Sequence, residues 1–399
     1  MPHMVNQIVE LDLTYAAQQP TTADVVIIGG GIMGLSTAWH LADRGVRHIV
    51  VVERAALGSG SSAKPLGGVR ANFSDPGNIL LGQRSLAAFR DFPHRMGASI
   101  GLQQVGYLFL CRSDEEAAGL EGSTELQNSM GVKTRMVSPR EAAQINPLLD
   151  SDALVGASFS PEDGYANPSL VVEGYAARAM ELGVTILDRT HVLNIDRQGD
   201  SITSVTTNRG VIRTSAVVCC AGAWSARIGA MAGVDLPVTP VRRLIGLTRQ
   251  CSEPYPRLPF TLDLSTTCYF HNYGNGLLLG ISHQEESGFC REFDYAWLPE
   301  FSAAAATCAP ELEHPDLVGG WAGLYENTPD RNALIGEADE LPGFFYATGF
   351  SGHGFLQGPA VGELMADLYL GRESFIDAKH FSVERFSDNS VGLRELNII

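Results

Sequence analysis

A glycine-rich turn between two short apolar runs constrains this 399-residue chain more than any other feature. Val25–Ile28 is a continuous apolar run of the kind found in a strand buried on both faces. Apolar residues then recur at helical spacing from Ile32 to Ala42, and Gly45 is a typical helix stop. A second apolar run, Ile49–Val52, follows. The pattern predicts a β-α-β unit whose two parallel strands are joined by a right-handed crossover.

The turn itself, GGGIMG, fits the pattern G-x-G-x-x-G with Gly29, Gly31 and Gly34 at its fixed positions. In this pattern the first glycine permits a tight turn, the second lets the backbone approach a pyrophosphate, and the third lets the helix pack on the strand. The helix N-terminus adds N–H groups and a partial positive charge. Glu53, at the end of the second strand, can accept hydrogen bonds from ribose hydroxyls. The unit predicts a dinucleotide site and does not choose between FAD and NAD(P).

The overall charge of the chain is strongly negative, since 28 Lys and Arg against 45 Asp and Glu give a formal net charge of −17. A nucleic-acid binder needs a basic face and docking on anionic lipid needs Lys/Arg clusters, so neither partner is expected. Residues 1–20 lack the basic start and apolar stretch of a signal peptide, and the longest apolar runs are of strand length. Seven scattered cysteines without C-x-x-C are typical of reduced thiols. We expect no membrane span and a cytoplasmic location.

Two other kinds of chemistry lack their motifs in the sequence. The ten histidines include no H-E-x-x-H and no Cys/His cluster, so no metal site is predicted. Ser351, in GFSGHG, has Gly two residues before it but His two residues after it. The G-x-S-x-G motif of an α/β-hydrolase is therefore missing.

Four further segments stand out along the chain. They are GSGSSAKPLGGVRANFSDPGNILL (58–81), AVVCCAGAWS (216–225), GGWAGLYENTPDRNALIG (319–336) and GFSGHGFLQGPAVGELMADL (349–368). Together with the glycine turn they resemble the D-amino-acid oxidase superfamily of flavoproteins, in particular its glycine oxidase and sarcosine oxidase group with related dehydrogenases. The resemblance extends from about residue 22 to about residue 385, and it implies FAD as the cofactor.

Buried β/α pieces occur at the start, in the middle and near the end of the chain, separated by sheet-rich stretches. This pattern predicts an α/β fold (α+β overall), with one discontinuous domain interrupted by a second. The resemblance implies that the first is a glutathione-reductase-like Rossmann FAD domain and that the second covers the flavin ring with an antiparallel sheet. The predicted segments are a leader (1–22), the FAD-binding domain (23–100, 161–235 and 321–385), the substrate-binding domain (101–160 and 236–320) and a C-terminal tail (386–399).

The resemblance also implies cofactor contacts, residue by residue. The glycine turn would meet the FAD pyrophosphate, Glu53 the adenosine ribose, and backbone groups near Val192 the adenine. The segment around Trp224 matches the A-G-A-W cofactor segment, and the loop around His353 would lie beside the pyrimidine edge of the flavin. The implied cofactor residues are Gly29, Gly31, Ile32, Met33, Gly34, Glu53, Arg54, Ser61, Ser62, Lys64, Gly67, Gly68, Val192, Ala221, Gly222, Trp224, Gly323, Gly352, His353, Gly354, Phe355 and Leu356.

On the substrate side the resemblance points to Arg70, Tyr269, Tyr325 and His353. Arg70 falls where sarcosine oxidases place a substrate-binding arginine, and the guanidinium fork suits a carboxylate. Both tyrosines fall on strands that line the substrate side of the flavin in this family. In the chemistry implied, the flavin accepts a hydride from the carbon next to a neutral amine, and water hydrolyses the resulting imine. The expected partner is therefore a small amino-acid-like molecule.

The chain departs from the family at several positions. Gly323 stands where some members attach the flavin through a cysteine, and Ser61–Lys64 where others use a histidine, so FAD is expected to be non-covalent. Tyr325 replaces an arginine of glycine oxidases. Two lysines of sarcosine oxidases become Leu278 and Leu356, and the first of those lysines is linked there to oxygen activation. We therefore expect a more apolar pocket and a substrate bulkier than glycine or sarcosine.

The sequence leaves three functions open. The favoured one is an FAD-dependent oxidase of an amino acid or N-substituted glycine, which makes an imine, then an oxo acid and an amine, while O2 becomes hydrogen peroxide. The second is a dehydrogenase with another electron acceptor or a partner subunit, and the third is a flavoprotein assembly factor without turnover. A homo-oligomer is compatible with all three. Arg242 and Arg243 are more typical of a solvated or domain-packing pair than of a pocket.

Overall fold

The structure is a computed structural model that describes residues 18–282 and 287–386 together with Glu395. The expected leader (1–22) and C-terminal tail (386–399) lie mostly outside the described residues. The described part of the chain forms β1 (Val25–Ile28), β2 (Ile49–Val52), β3 (Gly68–Val69), β4 (Tyr107–Cys111), β5 (Arg135–Val137), β6 (Gly156–Ser160), β7 (Gly164–Tyr165), β8 (Thr185–Leu187), β9 (Val192–Gln198), β10 (Ser201–Thr207), β11 (Gly210–Arg213), β12 (Val217–Cys219), β13 (Thr239–Thr248), β14 (Phe260–Asp263), β15 (Tyr269–Tyr273), β16 (Gly276–Gly280), β17 (Leu317–Asn327), β18 (Leu334–Glu337) and β19 (Phe344–Thr348). Its α-helices are α1 (Ile32–Asp43), α2 (Pro76–Met96), α3 (Asp114–Ser129), α4 (Pro139–Ile145), α5 (Pro168–Glu181), α6 (Ser225–Ala232), α7 (Leu298–Cys308) and α8 (Gly354–Tyr369).

A six-stranded sheet carries the glycine turn. Its strand order is β18-β19-β12-β1-β2-β8, which places β1 between β2 and β12. Neighbouring strands are parallel, except that β18 runs antiparallel to β19. The predicted β-α-β unit is confirmed, since β1 pairs with β2 from Val25↔Ile49 to Ile28↔Val52. Every residue of both strands is buried, which explains why the two runs are apolar throughout instead of alternating.

Helix α8 packs against α1 and begins earlier than the sequence indicates. The residue pattern predicts a start at Pro359, because proline lacks an N–H and disfavours a helix interior. The observed helix begins at Gly354 and contains Pro359. A Cβ on Gly358 would lie 2.4 Å from Cγ1 of Ile32, so the two helices approach closely just before the proline. This packing favours the additional turn, whose residues reach the site described below.

An eight-stranded sheet faces the first one, with the order β17-β13-β16-β15-β14-β4-β6-β5. Its neighbours are antiparallel as predicted, except that β14 runs parallel to β4. These two strands come from different segments of the chain, so no hairpin dictates their direction. Alternation along β15 gives the sheet its two faces: Phe270 packs in a cluster with Phe301 of α7, whereas Tyr269 belongs to a separate cluster with Tyr107 and Phe260.

Strand β17 crosses the boundary that the sequence places at residue 321. It pairs with β13 from Thr239↔Asn327 to Thr248↔Leu317, so all of it belongs to the eight-stranded sheet. We propose that the substrate-binding domain extends to Asn327. The sequence boundary puts Tyr325 in the FAD domain, whereas its strand belongs to the sheet that carries Tyr269.

Two smaller sheets complete the architecture. Strands β9, β10 and β11 form one of them, in which β10 and β11 make a hairpin around Asn208. Strand β3 pairs with β7 between the two large sheets, and the chain continues from it directly into Arg70. Within the described ranges we find no helix that is both long and apolar enough to cross a membrane.

Candidate active site and cofactor cleft

A cavity of about 490 Å³ lies between the carboxyl ends of β1, β2 and β12 and the Tyr269 face of the eight-stranded sheet. The carboxyl ends of parallel strands are where ligands bind in open α/β sheets. The cavity wall contains every site residue predicted from the sequence except Gly34. The structure thus brings together residues from all four segments of the family resemblance.

The three glycines of the turn have different neighbours. Gly29 has a φ of +123°, and a Cβ there would lie 2.1 Å from the Cys220 carbonyl oxygen. A Cβ on Gly34 would lie 2.0 Å from the Gly29 carbonyl oxygen, so Gly34 packs the helix on the turn and does not reach the cavity. A Cβ on Gly31 would meet the Oγ of Ser62 at 2.7 Å. Of the three, Gly31 is the one whose missing side chain opens onto the cavity wall.

Glu53 is held rigidly at the end of β2. Its Oε2 accepts the Gly30 N–H and its Oε1 accepts the Ala55 N–H, both at 2.8 Å. An ionised carboxylate has about four acceptor positions, so each oxygen keeps capacity for a ribose hydroxyl. The side chain therefore both fixes the glycine turn and faces the cavity.

The residues at this end of the cavity fit the diphosphate of FAD. Helix α1 begins after Gly31, which supplies no side-chain cap. The Oγ of Ser62 accepts the Ile32 N–H at 2.9 Å, so a hydroxyl occupies the position where a phosphate would meet the helix N-terminus. Because the cavity continues from here to the eight-stranded sheet, a long cofactor can bind along it.

His353, at the opposite end, offers an unused ring nitrogen. Its Nε2 is buried and has no hydrogen-bond partner within the described part of the chain. Burial, with Arg70 and Arg331 nearby, holds the pKa of His353 well below its usual value. The neutral ring packs edge-on against Phe73, with 5.2 Å between centroids. A buried polar atom without a partner in the cavity wall is consistent with a bound flavin at this end.

Arg70 is buried in the cavity wall with 4% of its surface exposed. Its guanidinium lies 4.0 Å from the centroid of the Phe73 ring, and its Nη1 donates to the backbone and side-chain oxygens of Asn72, both at 3.2 Å. The aromatic faces and the two acceptors fix the orientation of the fork. Arg70 thus presents a buried positive charge to the cavity, and a guanidinium fork in such a place suits a carboxylate.

Aromatic side chains form the rest of this chamber. The rings of Tyr107 and Phe260 stack with 4.3 Å between centroids and 9° between planes. Burial raises the pKa of Tyr107, Tyr269 and Tyr325, so all three phenols stay protonated and can donate hydrogen bonds. The chamber also contains apolar residues that the sequence did not single out: Phe109, Ile245 and Leu262.

Arg243 lines the cavity, the alternative that the sequence interpretation considered less typical. It is 4% exposed, with its guanidinium 5.1 Å from the centroid of the Tyr325 ring. Its neighbour Arg242 instead forms an ion pair with Asp294 at 2.9 Å. Adjacent residues of a strand point to opposite faces, so the description as one solvated or packing pair was wrong for Arg243. Strand alternation was the signal that could have separated the two.

Asp163 is a buried carboxyl beside the segment that carries Arg70. Its Oδ1 accepts the Ala71 N–H at 3.1 Å, while its Oδ2 has no hydrogen-bond partner among the residues that the structure describes. Burial raises the pKa of Asp163 to about 7. The folded protein therefore binds this proton more tightly than the unfolded chain does, at an ordinary aspartate pKa of about 4.

We expect Asp163 to lower the stability of the folded protein as the pH rises. Its stabilising contribution is complete below about pH 4 and is lost as the pH rises through about 7, because the ionised form is disfavoured by burial. Asp163→Asn removes this loss, so the unfolding free energy of the variant relative to that of wild type should rise by about 2 kcal/mol between about pH 5 and about pH 6.5 and change little above about pH 7. Urea unfolding of the apoprotein measures the difference. The exposed control Asp200→Asn should show no such gain, and an equal gain in both variants would contradict the prediction.

The fold and the cavity are those of a dinucleotide-binding class of protein, with the glycine turn of a parallel sheet at one end of the cleft and a second, largely antiparallel sheet at the other. A family model described as "DAO: FAD dependent oxidoreductase" matches residues 24–368, and the chain belongs to this family. FAD is accordingly its cofactor, and the family resemblance is confirmed. No group of three or more His, Cys, Asp or Glu side chains that could hold a metal occurs in the described ranges.

Three relatives illustrate the range of the family. The chain is 31% identical to "Glycine oxidase" of Geobacillus kaustophilus (strain HTA426) over 91% of its length and 97% of the relative. It is 28% identical to "Sarcosine dehydrogenase, mitochondrial" of Mus musculus over 94% of its length but only 43% of that longer protein. The solved L-proline dehydrogenase from P. horikoshii superimposes with a TM-score of 0.88 at 33% identity, covering 94% of this chain and all of that one.

Proposed function

We propose that this protein is an FAD-dependent dehydrogenase of an amino acid that carries an apolar arm, with a secondary amine as the favoured reacting group. The observation that carries the proposal is Arg70, a buried cation in an aromatic chamber that is continuous with the FAD cleft. The arginine supports binding of a carboxylate, and the surrounding rings favour an apolar arm over a polar one.

The residues of the chamber orient the substrate and keep it out of water. Arg70 binds the carboxylate, and the protonated phenols of Tyr269 and Tyr325 donate hydrogen bonds within the chamber. Bound FAD supplies the acceptor for the hydride that leaves the carbon next to the amine. Near the start of α8, the neutral His353 and the backbone amides stabilise negative charge at the flavin end of the site.

A buried leucine supports an electron acceptor other than O2. Leu278 is 2% exposed and packs in the cluster of Tyr269 and Leu262, which faces the cavity. It takes the position of the lysine that sarcosine oxidases use for oxygen activation, according to the resemblance described above. A quinone or a partner subunit would then accept the electrons, although the sequence analysis favoured an oxidase.

The function is tested with the purified, yellow holoprotein. L-proline, sarcosine, larger N-alkylglycines, glycine and D-amino acids are mixed with it anaerobically, and bleaching of the flavin absorbance is recorded. We expect bleaching by secondary amino acids, slow recovery in air and rapid recovery with an added quinone or redox dye. Fast recovery in air would show an oxidase, and a lack of bleaching by any amino acid would contradict the proposed chemistry. Acid precipitation tests non-covalent attachment, because flavin should stay in the supernatant.

The role of Leu278 gives a second prediction. Leu278→Lys introduces a cation into the cluster of Tyr269 and Leu262 behind the cavity wall, and a positive charge there would favour the negative charge that develops on O2 when it accepts an electron. We expect the rate of reoxidation by air to rise about tenfold or more. Stopped-flow absorbance of the dithionite-reduced protein measures the rate. Leu278→Met is the matched control, because it keeps the volume without the charge, and an equal rise in both variants would contradict the prediction.

A further inference from the structure

Two aromatic rings and three arginines form a contiguous cluster at the wall of the FAD cleft, which we call the basic clasp: Arg54, Trp224, Arg227, Phe289 and Arg291. The Trp224 and Phe289 rings stack with 5.6 Å between centroids. The guanidiniums of Arg54 and Arg291 lie 4.7 Å and 5.6 Å from the Trp224 ring, and that of Arg227 lies 4.0 Å from the Phe289 ring. The rings thus hold three positive charges together.

These charges have no counter-charge in the described protein. All three arginines are exposed. Among the described residues, no carboxylate oxygen lies within 4.0 Å of Arg54, Arg227 or Arg291. Some other exposed arginines have a carboxylate partner, such as Arg249 with Asp316 at 2.6 Å, and isolated ones such as Arg47 have none, but the three clasp arginines are adjacent to one another. Three neighbouring cations without a carboxylate, in a chain of net charge −17, point to an anionic ligand at this place.

The position of the clasp in the fold identifies that ligand. Arg54 follows β2, and Trp224 and Arg227 follow β12, so these residues flank the glycine turn that follows β1 between the two strands. Phe289 and Arg291 come from the connection after β16 of the other sheet. The Nη1 of Arg291 donates to the Ser59 carbonyl oxygen at 3.2 Å, which ties this connection to the loop after β2.

The four clasp residues Arg54, Trp224, Arg227 and Arg291 line the same cavity as the glycine turn. Arg54 follows Glu53, the residue placed for the adenosine ribose, so the clasp lies at the ADP half of the cofactor and away from the aromatic chamber. The diphosphate of FAD carries two negative charges, which complement the arginines. We propose that the basic clasp closes over the ADP half of bound FAD and slows its release, with Phe289 and Arg291 as the positioning residues that complete it.

The test measures FAD release from the holoprotein of Arg291→Ala, Phe289→Ala and the double variant. The holoprotein is diluted into an excess of an unrelated apoflavoprotein that takes up the released FAD. The release rate is followed by the change in FAD fluorescence. We expect each single substitution to raise the dissociation rate about tenfold, since each removes a screened charge or the ring that holds it. Raising KCl should accelerate release from wild type, and this salt dependence should be weaker in Arg291→Ala.

Two controls separate the clasp from a general effect. Arg47→Ala removes another exposed arginine without a described ion pair, far from the cavity, and should leave the rate unchanged. Arg291→Lys keeps the charge and should retain most of the salt dependence. Release rates of Arg291→Ala and Phe289→Ala equal to that of Arg47→Ala would overturn the proposal. Unchanged release with a raised KM for an anionic electron acceptor would also overturn it, and would assign the cluster to the acceptor.

Discussion

Replacing Arg70 by Met is expected to raise the KM for carboxylate-bearing substrates about 100-fold, with a much smaller change in kcat. Methionine fills a similar volume in contact with Phe73 but cannot bind a carboxylate. The loss corresponds to about 2.7 kcal/mol of binding free energy, in the range for hydrogen bonds to a charged group. The site is buried, so water cannot replace the guanidinium at low cost.

The measurement combines steady-state kinetics with titration of a non-reactive carboxylate, which is followed by the change in flavin absorbance. The titration reports affinity directly, because KM equals the dissociation constant only when chemistry is slow. Arg242→Met is the matched control: it removes an arginine from the opposite face of β13, where the side chain pairs with Asp294 outside the chamber. Equal affinities in Arg70→Met and wild type would remove Arg70 from the site, while the FAD content of both variants checks that the cleft is intact.

The second large effect is expected for Gly31→Ala, which should weaken FAD binding about 100-fold or more while the apoprotein still folds. Gly31 has a φ of −89°, so an alanine adopts its backbone conformation without strain. The nearest atom to the new Cβ is the Oγ of Ser62, at the end of a side chain that can rotate. The new methyl group would nevertheless occupy the face along which the diphosphate approaches the backbone.

Isothermal titration of the apoprotein with FAD measures the affinity. The double variant Gly31→Ala/Ser62→Ala removes the contact within the protein, and we expect it to remain weak; restored affinity would show that Ser62 and not FAD is displaced. Gly119→Ala is the control, because Gly119 lies in α3 with no neighbour within 4 Å of an added Cβ. It should leave FAD affinity unchanged and stabilise the helix by about 0.5–1 kcal/mol.

Local sequence patterns predicted the β-α-β unit at the start of the six-stranded sheet well. The apolar runs before and after the glycine turn form β1 and β2 at the predicted residues. A strand that is buried on both faces needs apolar side chains at every position, so its sequence is easy to recognise. The parallel pairing of β4 with β14 and the start of α8 before Pro359 were not predictable in this way. They depend on contacts between segments that are distant in sequence, such as Gly358 against Ile32.

The sequence by itself determined the dinucleotide turn, since the spacing of its glycines carries its chemistry, while the family resemblance implied the other cleft residues and Arg70, which the structure brings to one cavity wall. Only the tertiary structure separated Arg243 from Arg242 and placed it at Tyr325. It also brought Phe289 and Arg291 to Trp224 across the cleft. The physical reason is that a motif is local, whereas a cavity wall is made where separate segments meet, and the side of a strand that faces it is decided by the packing of whole sheets.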